Sequence, residues 1–589
     1  MTHQLKKENM LSANKEKLHS FFQGTNQYQI PFFQRSYVWK KDNWEELWDN
    51  ISEEKQALTL GQDSEHFIGT IIIKQKLSET LGINPFDLID GQQRLTTICI
   101  LLKAIQDSLQ NDANKNFINS LLIFVDANGK QHIRLAHSKI DTKYFTEIIL
   151  SQDANTTLTY DDYKNDIIDK LNNIQKCYVY VKSKTKSLDQ TELMAITNIV
   201  LQKLPVIHMA LSKEDDVQQI FDTINSLGIK LTTGELLKNY LFASKKVEPL
   251  YNPYWETVFE DDEDDVKFWN ENKTAGRIPR TTIELFLHSF LTIKTEKLSK
   301  LESLFKEYKA YLKDTTDDGK IAFAKELKEY AEIYRSFPSD INLKEFVFAD
   351  FEKRFFYLID KLDINTVMPL VLYIYKNITD NNERKTIIET LESYLVRRTA
   401  CRLTTKNYNN LFVSIMGEMK RNNVTTQVAF KQILLGYIDD TNMMPNDTQL
   451  AAAFSTSHII NKYAEGIIFC ITLYLNSHNY MDNHMLNNDN LSLEHIMPKK
   501  WRNHWNNPKV SDEATRDHKL LTLGNLTVVK GKLNSSMRDA AWIKKQKALQ
   551  QFSTFKITTD YINTTTWDET SIANRATDLL TYAIEIWKS

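Results

Sequence analysis

A chain of 589 residues is too long for one core, and at about 150 residues per domain it implies three or four units. With 42% apolar and 25% charged residues the composition is that of a soluble globular protein, 15 Gly and 11 Pro argue against long flexible linkers, and a net charge of -3 excludes a globally basic nucleic-acid binder. The four cysteines (Cys99, Cys177, Cys401, Cys470) form no CxxC pair, the N-terminus has no apolar signal region, and the longest apolar run, near 466–475, falls well short of the ~20 residues that span a bilayer, so a cytoplasmic protein without disulfides, zinc knuckles or membrane contact is expected.

In chain order, residues 30–39 read IPFFQRSYVW, a Pro-bearing aromatic segment expected to be extended and packed. The next stretch places Trp44, Leu47, Trp48 and Ile51 on one helical face, with Asp42 or Asn43 as N-cap and both tryptophans in the core. FIGTIIIK (67–74) is a β-branched run and predicts a strand, and 86–89 predicts another. The second runs into Asp90, Gly91, Gln92, Gln93 and Arg94, and then into a helix marked by Leu95, Ile98, Leu102 and Ile105. A strand-to-helix junction with a glycine, free helix N–H groups and a forked cation suits a phosphate, and Gln92 and Gln93 could donate to it. The same letters also describe a plain turn with an Asp cap and a surface Arg. No Walker A pattern is present, so a P-loop ATPase is not supported. LPVIHMAL (204–211) predicts a strand, and Thr232 or Thr233 starts a helix bearing Lys238 and Asn239, surface residues that could reach a nucleotide but as isolated polar groups are more often merely solvated.

The middle, 246–430, alternates helical faces with polar breaks. Its EDDEDD run (260–265) is expected to be a solvated loop. A helix over 387–396 ends in Arg397 and Arg398, which suit a DNA-backbone or interdomain contact or a complement to the helix dipole. His458, His478 and His484 have no recognisable ligand spacing and are expected to be ordinary polar or packing residues.

In the last part, 431–589, SLEHIMPKK (492–500) puts Glu494 and His495 at the end of a short strand. LTLGNLTVV (521–529) forms a second strand, interrupted by Gly524 and Asn525, and Asn534 caps a following helix. Strand, strand, helix with His, Asn and Asn in order is the parts list of a ββα-metal (HNH-type) nuclease. Phosphodiester hydrolysis needs a base neutral near pH 7, which assigns His495. It also needs a hard divalent cation on oxygen ligands, which assigns Glu494 and Asn534, with Asn525 orienting the imidazole. From His495 to Gln550 there are 12 Lys/Arg against four Asp/Glu. Lys499, Lys500, Arg502, Lys530, Lys532, Arg538 and Lys544 are therefore the candidate DNA contacts. Taken alone, His495 would be an ordinary core or cap histidine; the ordered asparagines are what raise it to a site. Arg575 on the closing helix is expected to pack or pair rather than to hold phosphate.

These motifs carry a resemblance. IPFFQRSYVW, FIGTIII, LIDGQQRLTT and FDTINSLGIKLTTGELLKNYLF resemble the N-terminal domain of the GmrSD family of modification-dependent (type IV) restriction endonucleases. LEHIMPKKW, LGNLTVV, LNSSM, WIKKQ and the closing WDETSIANRATDLLTYAIEIW resemble its C-terminal nuclease domain. The resemblance implies an α+β, helix-rich, multidomain chain. A ParB/sulfiredoxin-like α/β domain at 1–245 would bind and hydrolyse a nucleoside triphosphate at Asp90–Arg94, with Gln34 and Arg35 implicated. A helical connector at 246–430 and the nuclease at 431–589 would follow. It further implies Mg²⁺- or Mn²⁺-dependent cleavage of modified double-stranded phage DNA, coupled to nucleotide, in anti-phage defence. The modification would be a glucosylated hydroxymethylcytosine or a sulfur-substituted backbone. Leu227 stands where the family commonly has Arg, and Glu235 where it has Asp. A double-strand break needs two cuts, which suits a homodimer. Two rivals share the motifs: a nucleotide-gated nuclease toxin without modification preference, and a DNA-binding NTPase regulator with an inactive nuclease domain.

Overall fold

The computed structural model describes residues 13–31, 34–78, 82–137, 140–151, 171–211, 232–244, 246–275, 278–339, 343–479, 485–505, 512–553 and 555–589. The expected turn at Leu227 therefore lies outside the described residues, as do Phe32 and Phe33, Lys509 and His484. The chain forms two compact units, one of residues 1–251 with 260–266, the other of 252–259 with 267–589. Most of the expected connector thus shares a unit with the expected nuclease segment.

The first unit is built on strands β1 (Ala13–Lys17), β2 (Asn26–Gln29), β3 (Thr70–Gln75), β4 (Asn84–Asp90), β7 (Leu135–Ala136) and β8 (Pro205–Leu211), in the order β1-β8-β3-β4-β2-β7. A separate hairpin pairs β5 (Ile123–Val125) with β6 (Gln131–Ile133). The sheet is mixed: β3 runs antiparallel to β4 and parallel to β8, and β2 runs parallel to both β4 and β7. Ile71, Ile72 and Ile73 are all buried, which is why FIGTIIIK reads as a continuous apolar run rather than an alternation. The Gln92–Gln106 helix is buried almost throughout and packs on the Asn173–Thr185 helix.

The Lys41–Thr59 helix buries Trp44, Leu47 and Ile51, as its spacing predicts. It begins one turn earlier than that stripe, and Asn43 accepts from the Lys40 N–H at 3.1 Å. The helix Thr233–Leu241 is capped by Thr232, and Glu235 closes a capping box by accepting from the Thr232 N–H at 2.7 Å. The carboxylate at that position therefore holds a helix end. Lys238 and Asn239 are buried rather than at the surface, and Lys238 donates to Glu260 at 2.8 Å. That bond draws the first acid of EDDEDD out of solvent, and Glu263–Asp265 open a helix where their charge suits the N-terminus.

The second unit is mostly helical. Antiparallel pairs join β9 (Asn272–Ala275) to β10 (Ile278–Thr281), β11 (Glu345–Phe346) to β12 (Leu486–Asn487), and β13 (Leu491–His495) to β14 (Leu526–Lys530). The Asn381–Ala400 helix is buried along most of its length. The Asn461–Asn479 helix contains the 466–475 apolar run in its core, and no helix among the described residues is long and apolar enough to cross a membrane. Gly524 and Asn525 lie in a 3-10 turn, Leu523–Asn525, just ahead of β14. The closing helix Glu569–Ile586 packs on that turn so closely that a Cβ on Gly524 would collide with the Ile572 carbonyl. Asn534 sits inside a short helix, Gly531–Met537, instead of capping a long one; the chain breaks at Arg538 (φ 42°) before the Trp542–Phe552 helix.

Candidate active site

The DGQQR junction falls where the pattern puts it, at the C-terminal end of β4 and the start of the Gln92–Gln106 helix. Gly91 adopts φ 97°, and a Cβ there would press on Ile71 and the Thr70 carbonyl, so the turn needs glycine. The glutamines do not face a phosphate. Gln92 donates to Arg35 O at 2.7 Å; Gln93 donates to Ser36 O at 3.2 Å and accepts from the Val38 N–H at 2.9 Å; Gln34 donates to Ile89 O at 2.7 Å. All three are buried, and together they clamp residues 34–38 over the helix start. The expected nucleotide contact is corrected to this extent: each amide spends an N–H on backbone that holds the segment in place, and the buried Gln92 Oε1 is left without a partner. The charged members remain. Arg94 donates to Thr70 O at 2.7 Å and lies 3.8 Å from Asp90. Burial pushes the Asp90 carboxyl up, opposed by Arg94, the Gly91 N–H and Arg35. Gly91 offers no capping side chain to the N-terminus of that helix, beside which Arg94 and Asp90 lie.

At the other candidate site, β13 and β14 pair Glu494 with Thr527 and His495 with Leu526. The strand alternation sends the two side chains to opposite faces. Glu494 goes inward, 5% exposed, to the ammonium of Lys545 at 2.5 Å; Lys545 also donates to His495 O at 2.8 Å. Burial pushes Glu494 up and Lys545 down, each opposed by the other's charge. His495 goes outward and is half-buried. Its ring makes no hydrogen bond among the described residues. Burial, with the positive charges of Lys499, Lys545 and His458, lowers its pKa to about 4. It is therefore a neutral imidazole through the physiological range.

Asn525 does not orient that ring. Its amide donates to Met497 O (2.8 Å) and Leu520 O (3.0 Å), and its oxygen accepts from the Met497 N–H (2.9 Å) and Trp567 Nε1 (3.1 Å). Fully buried and fully bonded, it fixes the chain just after His495. Asn534 donates to Ser492 Oγ at 2.8 Å and Leu493 O at 3.0 Å, tying its helix to β13. Lys545 escaped the sequence reading among the surface cations. The signal was available: it shares the buried helical face of Trp542 and Leu549, where a lysine needs a buried partner.

A divalent cation does not fit this set as placed. Of the expected ligands, the Glu494 carboxylate is already neutralised by the Lys545 ammonium at 2.5 Å, and Asn534, whose nitrogen is bonded to the strand, has only its Oδ1 to offer. Too few oxygens remain for a hard cation.

The cations expected to track DNA divide in two. Lys499, Lys500, Lys532, Arg538 and Lys544 are exposed and form no ion pair among the described residues, and Lys530 donates to Asp489 O while staying exposed. Arg502 instead bonds Glu513 at 2.7 Å and Asp517 at 2.8 Å, so it is tied to carboxylates. Arg397 and Arg398 are fully buried: Arg397 donates to Trp587 O, Pro445 O and Asp447, and Arg398 to Met443 O, Thr404 O and Thr441 O. Arg575 is also buried and donates to Gly524 O and Leu526 O, a packing role as expected.

Comparison with known proteins places family domains over both segments. A family model for the GmrSD restriction endonuclease N-terminal domain matches residues 18–242, and one for the GmrSD restriction endonuclease C-terminal domain matches residues 444–582. Among curated proteins, an uncharacterized protein of Methanocaldococcus jannaschii is 25% identical over 300 residues, 46% of this chain and 48% of the relative; the chain spans about half the length of that relative. Both domain models fall in order on one chain, each over its own candidate site, and the protein belongs to the GmrSD family of restriction endonucleases.

Proposed function

We propose that this chain is a DNA endonuclease that restricts modified phage DNA, with His495 as the general base and a nucleoside triphosphate bound at the DGQQR junction. The observation that carries the reading is His495 itself. It is a neutral, unpartnered imidazole at a strand end, its backbone held by Asn525 through Met497 and by Lys545, beside exposed unpaired lysines. In the hydrolytic step the ring takes a proton from a water, the water oxygen bonds to phosphorus, and the P–O bond to the leaving sugar oxygen breaks; that oxygen takes its proton from solvent. Exposed cations balance the charge gathering on the phosphate. Because the Glu494–Lys545 pair does not fit a divalent cation, no step is routed through Mg²⁺ or Mn²⁺.

In the first unit, the triphosphate would lie on the Gln92–Gln106 helix N-terminus with Arg94 and Arg35 as its cations. Nucleotide then gates cutting, and two copies of the chain supply the two cuts of a double-strand break. The test is digestion of modified phage DNA, unmodified DNA and RNA, with and without ATP or GTP, by the parent chain and by His495→Ala. Cleavage of modified DNA by the parent alone supports the proposal. Equal digestion of unmodified DNA removes the modification preference. Equal activity in both proteins removes His495 from the chemistry.

A further inference from the structure

A cavity of about 600 Å³ opens in the helical part of the second unit, and no residue of either candidate site lines it. That size falls in the range of pockets that take small organic ligands. The Thr282–Thr295, Asp317–Ser336 and Phe351–Leu362 helices wall it, with β9 and the turn after the last helix. Every lining residue but Lys462 falls between the two matched domain segments, 18–242 and 444–582. Part of the lining is aromatic: the Tyr334 ring lies 5.9 Å from Phe337, and Phe337 lies 4.7 Å from Phe356. Another part is polar: Asn272, Asp363, Asn365 and Asn409 line the cavity with side chains that form no hydrogen bond or ion pair among the described residues.

The charges of the lining decide what it can hold. Lys273 lies 3.9 Å from Glu271 and Lys462 lies 4.0 Å from Asp360, so each ammonium already faces a carboxylate. His288 donates through Nε2 to Ser299 O at 2.9 Å, which leaves Nδ1 an acceptor, and burial lowers the pKa of the ring and keeps it neutral. Asp363 is then the surplus charge, and a negative lining repels phosphate. What remains on offer is aromatic surface for the face of a planar ring, and amides that each present a donor beside an acceptor to its edge. Those are the contacts by which a heterocyclic base is held and read.

We propose that this cavity binds an uncharged nucleobase with its sugar, the face of the base on the Tyr334, Phe337 and Phe356 wall and its edge on Asn365 and Asn409. The base comes either from a DNA strand, turned out of the stack, or from a free nucleoside; the DNA source rests on the nuclease reading above. That source has a structural link to the cutting site. Lys462 stands at the start of the Asn461–Asn479 helix, which packs on β13 and β14. The same helix is joined tightly to the Phe351–Leu362 helix: Lys361 donates to Glu465 at 2.5 Å, and a Cβ on Gly466 would meet the Lys361 Cβ at 2.9 Å. One helix therefore braces both a wall of the cavity and the strands that carry His495.

The test uses the full chain with His495→Ala and Arg94→Ala, so that binding is read without cutting and without the DGQQR junction. The probes are cytidine and adenosine, their 5′-monophosphates, and two fluorescein-labelled duplexes, one fully paired and one with a single unpaired base, which costs least to turn out. Nucleosides are expected to bind about tenfold tighter than their monophosphates, and the duplex with the unpaired base about tenfold tighter than the paired one. Thr366→Trp, at an exposed lining position, fills the mouth and abolishes both preferences, and Asn365→Ala with Asn409→Ala weakens both at an unchanged melting temperature. Asp363 adopts φ 56°, so Asp363→Gly keeps the turn while it removes the surplus charge, and monophosphates then bind as well as nucleosides. Nucleosides held in the cavity with no distinction between the duplexes support the site and make a free nucleoside its ligand. Preferences that persist in Thr366→Trp overturn the proposal. So does their absence from a chain whose His495 parent binds and cuts DNA, and that result leaves the nuclease reading standing. A chain that binds neither duplex overturns the nuclease reading, and the nucleoside arm then decides the cavity by itself.

Discussion

The two candidate sites use amides and charges in opposite ways. At the DGQQR junction, Gln34, Gln92 and Gln93 fasten residues 34–38 to a helix start, beside which Arg94 lies 3.8 Å from Asp90. At the nuclease site, Asn525 and Asn534 likewise fasten backbone, but the carboxylate is also withdrawn, buried against Lys545, and the outward group is an uncharged ring. In both places the buried amides bond backbone, and the proposed working parts are the less buried titratable groups. The difference is the sign of what is offered: fixed charge in the first site, a proton acceptor among cations in the second. One suits holding an anion and the other suits activating water beside one.

The strongest way to break this comparison is to remove the acceptor. His495→Ala is expected to lower cleavage by about 10²–10⁴-fold, the usual contribution of a general base, without changing the melting temperature or duplex affinity. A loss of affinity of the same size would make His495 a binding group instead. The frame residues should behave in the reverse manner. Lys545→Met strands a buried carboxylate and is expected to cost about 3–5 kcal/mol of stability, much of it recovered by adding Glu494→Gln. Asn525→Ala leaves several buried backbone groups unpaired and should cost about 3 kcal/mol. If Lys545→Met is instead as stable as the parent, Glu494 is not held by the ammonium and the objection to a metal at that carboxylate disappears; chelator sensitivity of cleavage then decides it.

Much of this was legible in the sequence, but unevenly. The strand at 70–75 follows from a β-branched run, those at 84–90 and 205–211 from short apolar runs and that at 491–495 from the alternation of Leu491 and Leu493, and the positions of DGQQR and EHxxP follow from the helix and strand that flank them. What the letters did not give is which way a polar side chain turns. Glutamine and asparagine serve equally as ligands and as clamps, and only the carbonyls brought close by the fold choose between them: Arg35 O and Ser36 O for Gln92 and Gln93, Met497 O for Asn525. Arginine is ambiguous in the same way. Arg397 and Arg398 look like a surface cation pair, yet both lie inside because unpaired carbonyls of Met443, Pro445 and Trp587 await them there. Lys545 could have been found, since one cation on an otherwise buried helical face demands a partner.

In the first unit the contrast between frame and working groups can be sharpened by a matched pair. Arg94→Ala is expected to weaken nucleotide binding by about tenfold, the size of one lost charge-assisted bond, and to abolish turnover. Gln93→Ala is expected instead to lower stability, by about 1–3 kcal/mol, through the unpaired Val38 and Ser36 backbone groups. Unchanged turnover in Arg94→Ala removes the junction from the nucleotide assignment. The pH profile of the nuclease supplies a third contrast. With the His495 pKa lowered to about 4, the free enzyme keeps its base down to that pH, and kcat/KM should fall only as pH drops through about 4, where protonation removes the acceptor. An ordinary imidazole, at 6.5, would already be losing activity near neutrality. Bound phosphate favours the charged ring, so the limb in kcat should lie higher than that in kcat/KM.

The smallest expected effect tests the division among the nuclease cations. Arg502 bonds two carboxylates and lies over the Trp501 ring at 4.5 Å, so its charge is already answered within the protein. Each cation that neutralises a phosphate releases counterions, and its removal lowers the slope of log affinity against log salt by about one. Lys544→Ala should therefore reduce the slope, whereas Arg502→Ala should leave it unchanged and alter affinity by no more than about threefold, through the two acids it uncovers. A full unit of slope lost in Arg502→Ala would mean that DNA draws the guanidinium away from Glu513 and Asp517. Those two acids would then be a latch on the DNA-binding face, and Glu513→Gln with Asp517→Asn should tighten binding.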